Sequence, residues 1–256
     1  MLRLLSVSAL AGVLVATSVT PDAQACQPYQ MSTVHLNAQT AVALDGGILM
    51  VDIKNRNEAA LNDGTVVMMV NGKAVPHEDV YLGRGLTLWR GKFTATTKLG
   101  IAGSQNLKKA QALPIVDDTT VLTAPAKVST TGGFARPPRP TPGSQPAPPA
   151  DPFTTVAVHL SAALPDDAVA LVVYMHQDNG SVDGFAWSSV AKGQVDFQFQ
   201  GGGKGCGGGA PPLFAGDKVS FGYVTSTGRL SPQTAAQLIA GPTPVKAKIK
   251  KTKQHR

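Results

Sequence analysis

The chain carries two cysteines, Cys26 and Cys206, and their reactivity depends on the compartment. In an oxidising compartment two cysteines permit a single intramolecular bridge. A Cys26–Cys206 disulfide would close a long loop and restrict the unfolded chain, which is worth several kcal/mol in the chain-entropy picture. A redox-active pair is a poor fit, because the Cys-x-x-Cys spacing is absent. The rival chemistry is lipidation of Cys26. Bacterial lipoprotein signals usually place Leu three residues before that cysteine; here Ala23 stands there and Gln24 follows. That departure favours the disulfide.

Other residue groups invite chemistry and are answered by plainer readings. Met175-His176, His77-Glu78-Asp79 and Met68-Met69 offer thioether, imidazole and carboxylate ligands of the kind copper accepts. However, adjacent residues of a strand point to opposite faces, so Met68 and Met69 would not converge. Asp117-Asp118 and Asp166-Asp167 lack the oxygen-ligand spacing of a calcium loop and read as turn formers. No metal or cofactor is expected. Gly201–Gly209 is not a phosphate loop, since Lys204 is followed by Gly205 and Ala210-Pro211-Pro212 blocks a following helix. No Gly-x-Ser-x-Gly elbow is present. Trp89 and Trp187 read as core anchors ahead of sugar-stacking residues. No catalytic residue is assigned, and the chain is read as non-enzymatic.

The compartment itself is readable. Arg3, the apolar run Leu4–Val19 and Ala23-Gln24-Ala25 form the n-region, h-region and small-x-small cleavage site of an export signal. The run is shorter than the ~20 residues of a spanning helix. Cleavage would make Cys26 the mature N-terminus of a periplasmic or extracellular protein. The net charge of +7 is concentrated at one end. Residues 26–150 hold 12 basic and 8 acidic side chains, and residues 151–244 hold 4 and 7. Lys246, Lys248, Lys250, Lys251, Lys253 and Arg256 follow in the tail. The body is nearly neutral, so no specific nucleic acid partner is expected. The tail is either a solvated terminus or a salt-sensitive contact with anionic headgroups, lipopolysaccharide or nucleic acid.

These groups must be positioned by short strands. Ile48–Ile53, introduced by Gly46-Gly47, and Thr65–Val70 are apolar runs, and Asn71-Gly72 then predicts a type I′ hairpin into Lys73-Ala74-Val75. Leu86–Trp89 and Lys92–Ala95 suggest a pair turning at Arg90-Gly91. Residues 104–112 suggest a short helix, and Thr119–Thr123 a closing strand. Thr130–Pro152 is dense in proline and reads as a semi-rigid spacer, with a groove-binding ligand as its rival. Beyond it, Thr154–Leu160, Ala168–Met175, Gln194–Gln200 and Lys218–Val224 read as strands, the last two alternating as half-buried strands do. Val34-His35-Leu36-Asn37-Ala38 and Val158-His159-Leu160-Ser161-Ala162 form a faint repeat.

Gly216-Asp217-Lys218-Val219 and Gly228-Arg229-Leu230-Ser231 resemble the last two strands of immunoglobulin-like and fibronectin type III-like modules of secreted bacterial proteins. Cys26–Val51 resembles the lead-in to such a module, whereas Lys98–Ala112 departs from a seven-strand plan. The resemblance implies an adhesive, binding or scaffolding role and brings no catalytic residue. The expected fold is all-β, with two immunoglobulin-like β-sandwich domains joined by a Pro-rich linker after a cleavable signal peptide. The expected segments are the signal 1–25, a first sandwich 26–129, the linker 130–152, a second sandwich 153–240 and a basic tail 241–256. The expected partner is a protein or glycan ligand, with an anionic envelope surface contacted through the tail. The rival function is a secreted hydrolase with its site between the sandwiches.

Overall fold

The computed structural model describes residues 30–55, 66–103, 107–135, 154–201 and 212–241. Cys26, Cys206, the expected export signal, the densest proline stretch and the basic tail lie outside these residues. Among the described residues the regular structure is strand, with one 3-10 turn at Leu107–Lys109 and no α-helix.

The N-terminal half supplies β1 (Gln30–His35), β2 (Val42–Ala43), β3 (Ile48–Asn55), β4 (Val66–Val70), β5 (Lys73–Val75), β6 (Glu78–Tyr81), β7 (Leu86–Arg90), β8 (Leu99–Gly103), β9 (Gln111–Leu113) and β10 (Ile115–Val116). They form sheet I, in the order β5-β4-β8-β9, and sheet II, in the order β1-β3-β7-β6, with β10 paired in parallel to β2. The Asn71-Gly72 hairpin forms as its sequence predicts, with φ of 51° and 79° at the two turn residues. The C-terminal half supplies β11 (Val128–Thr131), β12 (Phe134–Ala135), β13 (Thr154–Leu160), β14 (Ala168–His176), β15 (Val182–Ser189), β16 (Asp196–Gly201), β17 (Phe214–Ala215), β18 (Lys218–Thr225) and β19 (Gln237–Leu238). Here sheet III runs β15-β14-β18-β19 and sheet IV runs β11-β13-β16, while β12 pairs in parallel with β17. Every pairing within these four sheets is antiparallel, and the sheets pack face to face in the manner of β-sandwiches.

The four sheets enclose three apolar layers. On β3, Ile48 and Met50 pack with Met68, Trp89, Leu99 and Ile101 between sheets I and II. Leu49, which points the other way, packs with Leu86, Leu88, Ala170, Val172, Tyr174 and Val224 between sheets II and III. On β14, Leu171 and Val173 then pack with Phe197, Phe199, Phe221 and Tyr223 between sheets III and IV. The period of two along each strand sends alternate residues to opposite layers. Ile48–Val51 and Ala170–Tyr174 are therefore apolar at every position, because both of their faces are covered. The strand β16 borders one layer only, and its buried Phe197 and Phe199 alternate with exposed Gln198 and Gln200.

Several sequence expectations are corrected. Lys92–Ala95 forms no strand; β7 instead pairs with β3 and β6. The predicted helix at 104–112 is replaced, in its described part, by the 3-10 turn and β9. Thr119–Thr123 is irregular, and Val121 is 87% exposed. Gly228–Ser231 forms a turn and an isolated bridge from Val224 to Leu230 rather than a full strand. The strand β18 is buried on both faces rather than half-buried, because it lies between two apolar layers. The repeated Val-His-Leu motifs end strands in unlike positions, since β1 is a sheet edge and β13 is central. Finally, β11, which straddles residue 130, pairs with β13.

Candidate functional site

The Ala43–Gly47 connection into β3 and the turn after β18 touch backbone to backbone, and glycine allows it. Ala43 N–H donates to the Thr227 carbonyl at 2.8 Å, and Gly47 N–H to the Gly228 carbonyl at 3.1 Å. A Cβ on Gly46 would lie 2.6 Å from the Thr227 oxygen, and one on Gly228 would overlap the Gly47 carbonyl. At the other edge Leu82 bridges Gly184, and the Trp187 Nε1–H donates to the Arg84 carbonyl at 2.9 Å. The prediction of Trp187 as a core anchor is met in part, since it packs on the middle layer while bridging the two halves. Trp89 is 7% exposed in the first layer and stacks on His77, with ring centroids 4.0 Å apart.

Where the irregular segment 117–125 crosses this junction, it forms one wall of a cleft of about 470 Å³. Arg229, in the turn after β18, reaches into the N-terminal half. Its Nε donates to Asp45, 2.9 Å from Oδ1, and its Nη1 donates to the Thr120 carbonyl at 2.7 Å. The same nitrogen lies 3.3 Å from Asp118 Oδ1, and both of those side chains are nearly enclosed, at 14% and 13% exposure. Asp118 also accepts from Thr120 N–H at 3.1 Å and from Thr227 Oγ1–H at 2.8 Å. Arg90, the last residue of β7, lines the same cleft, and its Nε is buried without a hydrogen-bond partner. Leu122, Leu230 and Pro232 complete the apolar part of the wall. Burial pushes the Tyr174 hydroxyl up to about 12 against the opposing pull of the Arg90 charge.

Asp118 gives the junction a pH dependence. Burial raises its pKa, but hydrogen bonds from Thr120 and Thr227 and the Arg229 charge outweigh it and hold the carboxyl below its usual 3.8. A depressed folded-state pKa stabilises the fold above the unfolded value and loses that contribution as pH falls through the folded value. Wild-type protein is expected to lose stability more steeply than Asp118→Asn below about pH 4. Urea midpoints measured along a pH series check this, and parallel acid slopes would refute it.

Among the described residues no group of three or more His, Cys, Asp or Glu gathers at metal-binding distance. Met68 lies in the first apolar layer at 1% exposure. His77 Nε2 sits 3.3 Å from Asp79 Oδ1, and His159 Nδ1 is 2.8 Å from Asp196 Oδ1 on the neighbouring strand. His176 Nε2 does meet a serine, at 2.9 Å from Ser220 Oγ. Ser220 is fully buried and donates its own proton to Gln233 Oε1 at 2.7 Å. With that proton spent, His176 serves as the donor, the reverse of a base activating a nucleophile. Ser189-Val190-Ala191-Lys192 has the Ser-x-x-Lys spacing of another hydrolase class, against the expectation that neither an elbow nor a Ser-x-x-Lys motif is present. Lys192 Nζ turns away to Asp166 Oδ2 at 2.6 Å, and that hydrogen bond and charge raise its pKa, the wrong direction for a general base. No local signal joins Arg90, Arg229 and Asp118, because only the fold brings them together; Asp118 is the turn former its sequence suggests, its Oδ1 accepting from Thr120 N–H two residues on, and it meets Arg229 as well.

No protein-family model matches the chain, and no curated protein matches it. Among solved structures, the FN1–FN3 domains of chicken CNTN1 align with 84% of this chain and 67% of their own, at 8% identity and a TM-score of 0.33.

Proposed function

We propose that this chain is an exported, non-enzymatic binding or structural module of two immunoglobulin-like sandwich domains, working in the periplasm or outside the cell on a protein or glycan partner. The observation that supports this most is the middle apolar layer, in which Leu49, Leu86 and Leu88 meet Ala170, Val172 and Val224. A shared layer fixes the two sheet pairs relative to each other, so a partner spanning both meets a preorganised surface and bears little ordering cost. The export signal and the Cys26–Cys206 disulfide belong to the same reading. The basic tail adds a salt-sensitive contact with anionic surfaces.

The hydrolase reading has one specific contact in its favour, His176–Ser220, and a direct test follows. A fluorophosphonate probe, which phosphonylates activated serines with loss of fluoride, is expected to leave Ser220 and Ser189 unlabelled in folded protein. Labelling that is lost in Ser220→Ala or Ser189→Ala would replace the module with a hydrolase. Intact mass of exported protein, with and without reduction and alkylation, tests the rest. The expected species starts at Cys26 and takes up alkylating agent only after reduction.

A further inference from the structure

We propose that the junction cleft binds the carboxyl end of an extended peptide whose last residue is small and aliphatic, with Arg90 receiving the carboxylate. This rests on the binding-module reading and names the ligand class. The two arginines of the cleft differ in what they still need. Arg229 is already engaged by Asp45, Asp118 and the Thr120 carbonyl. The Arg90 side chain makes no hydrogen bond or ion pair among the described residues, its Nε being buried without a partner, although it lines the cleft and its register partner across the β6–β7 pair is Glu78. A guanidinium offers a planar fork that two carboxylate oxygens fill together.

The wall beside Arg90 suits a peptide. The segment Thr119–Leu122 belongs to no sheet, and the backbone N–H groups of Thr119, Val121 and Leu122 make no backbone hydrogen bond within the described structure. An extended chain laid along it would supply those partners, as a strand added to a sheet edge does. Val121, 87% exposed, and the neighbouring Leu230 and Pro232 offer apolar surface to a small aliphatic side chain. Charge decides between anions. Asp45 and Asp118 stand close by, so a doubly charged phosphate would be repelled, while a single carboxylate on an apolar stem faces less opposition. A cleft of about 470 Å³ falls in the range that holds a small ligand or a short peptide end.

The test titrates full-length protein with acetyl-Ala-Ala-Val bearing a free carboxylate, and separately with its C-terminal amide. Calorimetry gives affinity, and amide NMR signals locate the site. The acid is expected to bind at least tenfold tighter than the amide and to shift the signals of Thr119–Leu122. Arg90→Gln should abolish that preference. Val121→Asp, at a position too exposed to disturb folding, should weaken the acid by a similar factor. Equal affinity for acid and amide, no binding of the acid at millimolar concentration, full acid preference in Arg90→Gln, or undiminished acid affinity in Val121→Asp would overturn the assignment. Such a failure would leave the serine-probe result standing, so the ligand class and the module reading fall separately.

Discussion

Gly228→Ala is expected to destabilise the protein by about 3–5 kcal/mol, among the larger effects of a single methyl group. Two costs combine. Gly228 has φ of 75°, a conformation that disfavours any L side chain by roughly 1–2 kcal/mol. The added methyl would also overlap the Gly47 carbonyl and lie 2.8 Å from the Gln39 amide nitrogen. Neither neighbour yields freely. Gly47 N–H donates to the Gly228 carbonyl, while Gln39 donates to the Gly47 carbonyl at 2.7 Å and accepts from Leu49 N–H at 2.7 Å. Moving them apart would break the contact that seats sheet II on sheet III. Gly72→Ala is the control: its φ is 79°, yet nothing lies within 4 Å of the added carbon, so only the backbone cost applies. Urea unfolding of both variants separates the two costs. Equal losses of stability would mean that the Gly47–Gly228 contact contributes nothing.

What the sequence made legible, and what it hid, follow from the reach of the forces involved. The Asn71-Gly72 hairpin could be read directly because a type I′ turn is specified by its own two residues. The strands β13, β14 and β16 fell where their apolar patterns placed them. The contrast within those patterns also held the layer count: Ala170–Tyr174 is apolar without interruption, while Asp196–Gln200 alternates. A continuous run of that length signals a strand covered on both faces. The expectation of two sandwiches with a spacer between them supplied no second cover for β14. Val121 misled in the other direction, since Thr119–Thr123 has strand-forming residues but finds no neighbouring strand. The Arg229 network spans positions 45, 118, 120 and 229, and no local rule joins residues so far apart in the chain.

Leu88→Ala decides whether that middle layer makes the protein one cooperative body. Leu88 is fully buried between sheets II and III, and truncating such a leucine costs about 2–5 kcal/mol in lost transfer free energy and an unfilled cavity. The cost alone would not tell a shared layer from a private one, but the two tryptophans do. Trp89 reports from the layer between sheets I and II, and Trp187 from β15 in sheet III. Single-tryptophan proteins, made by Trp187→Phe and Trp89→Phe, give one fluorescence probe for each half. If the halves unfold together, both probes follow one urea transition, and Leu88→Ala moves both midpoints by the same amount. Sandwiches that merely share a linker would give two transitions, with only the Trp89 midpoint responding to the loss of Leu88. Coincident shifts are expected, because Ala170, Val172 and Tyr174 have no other cover: removing sheet II would open one whole face of β14 to water.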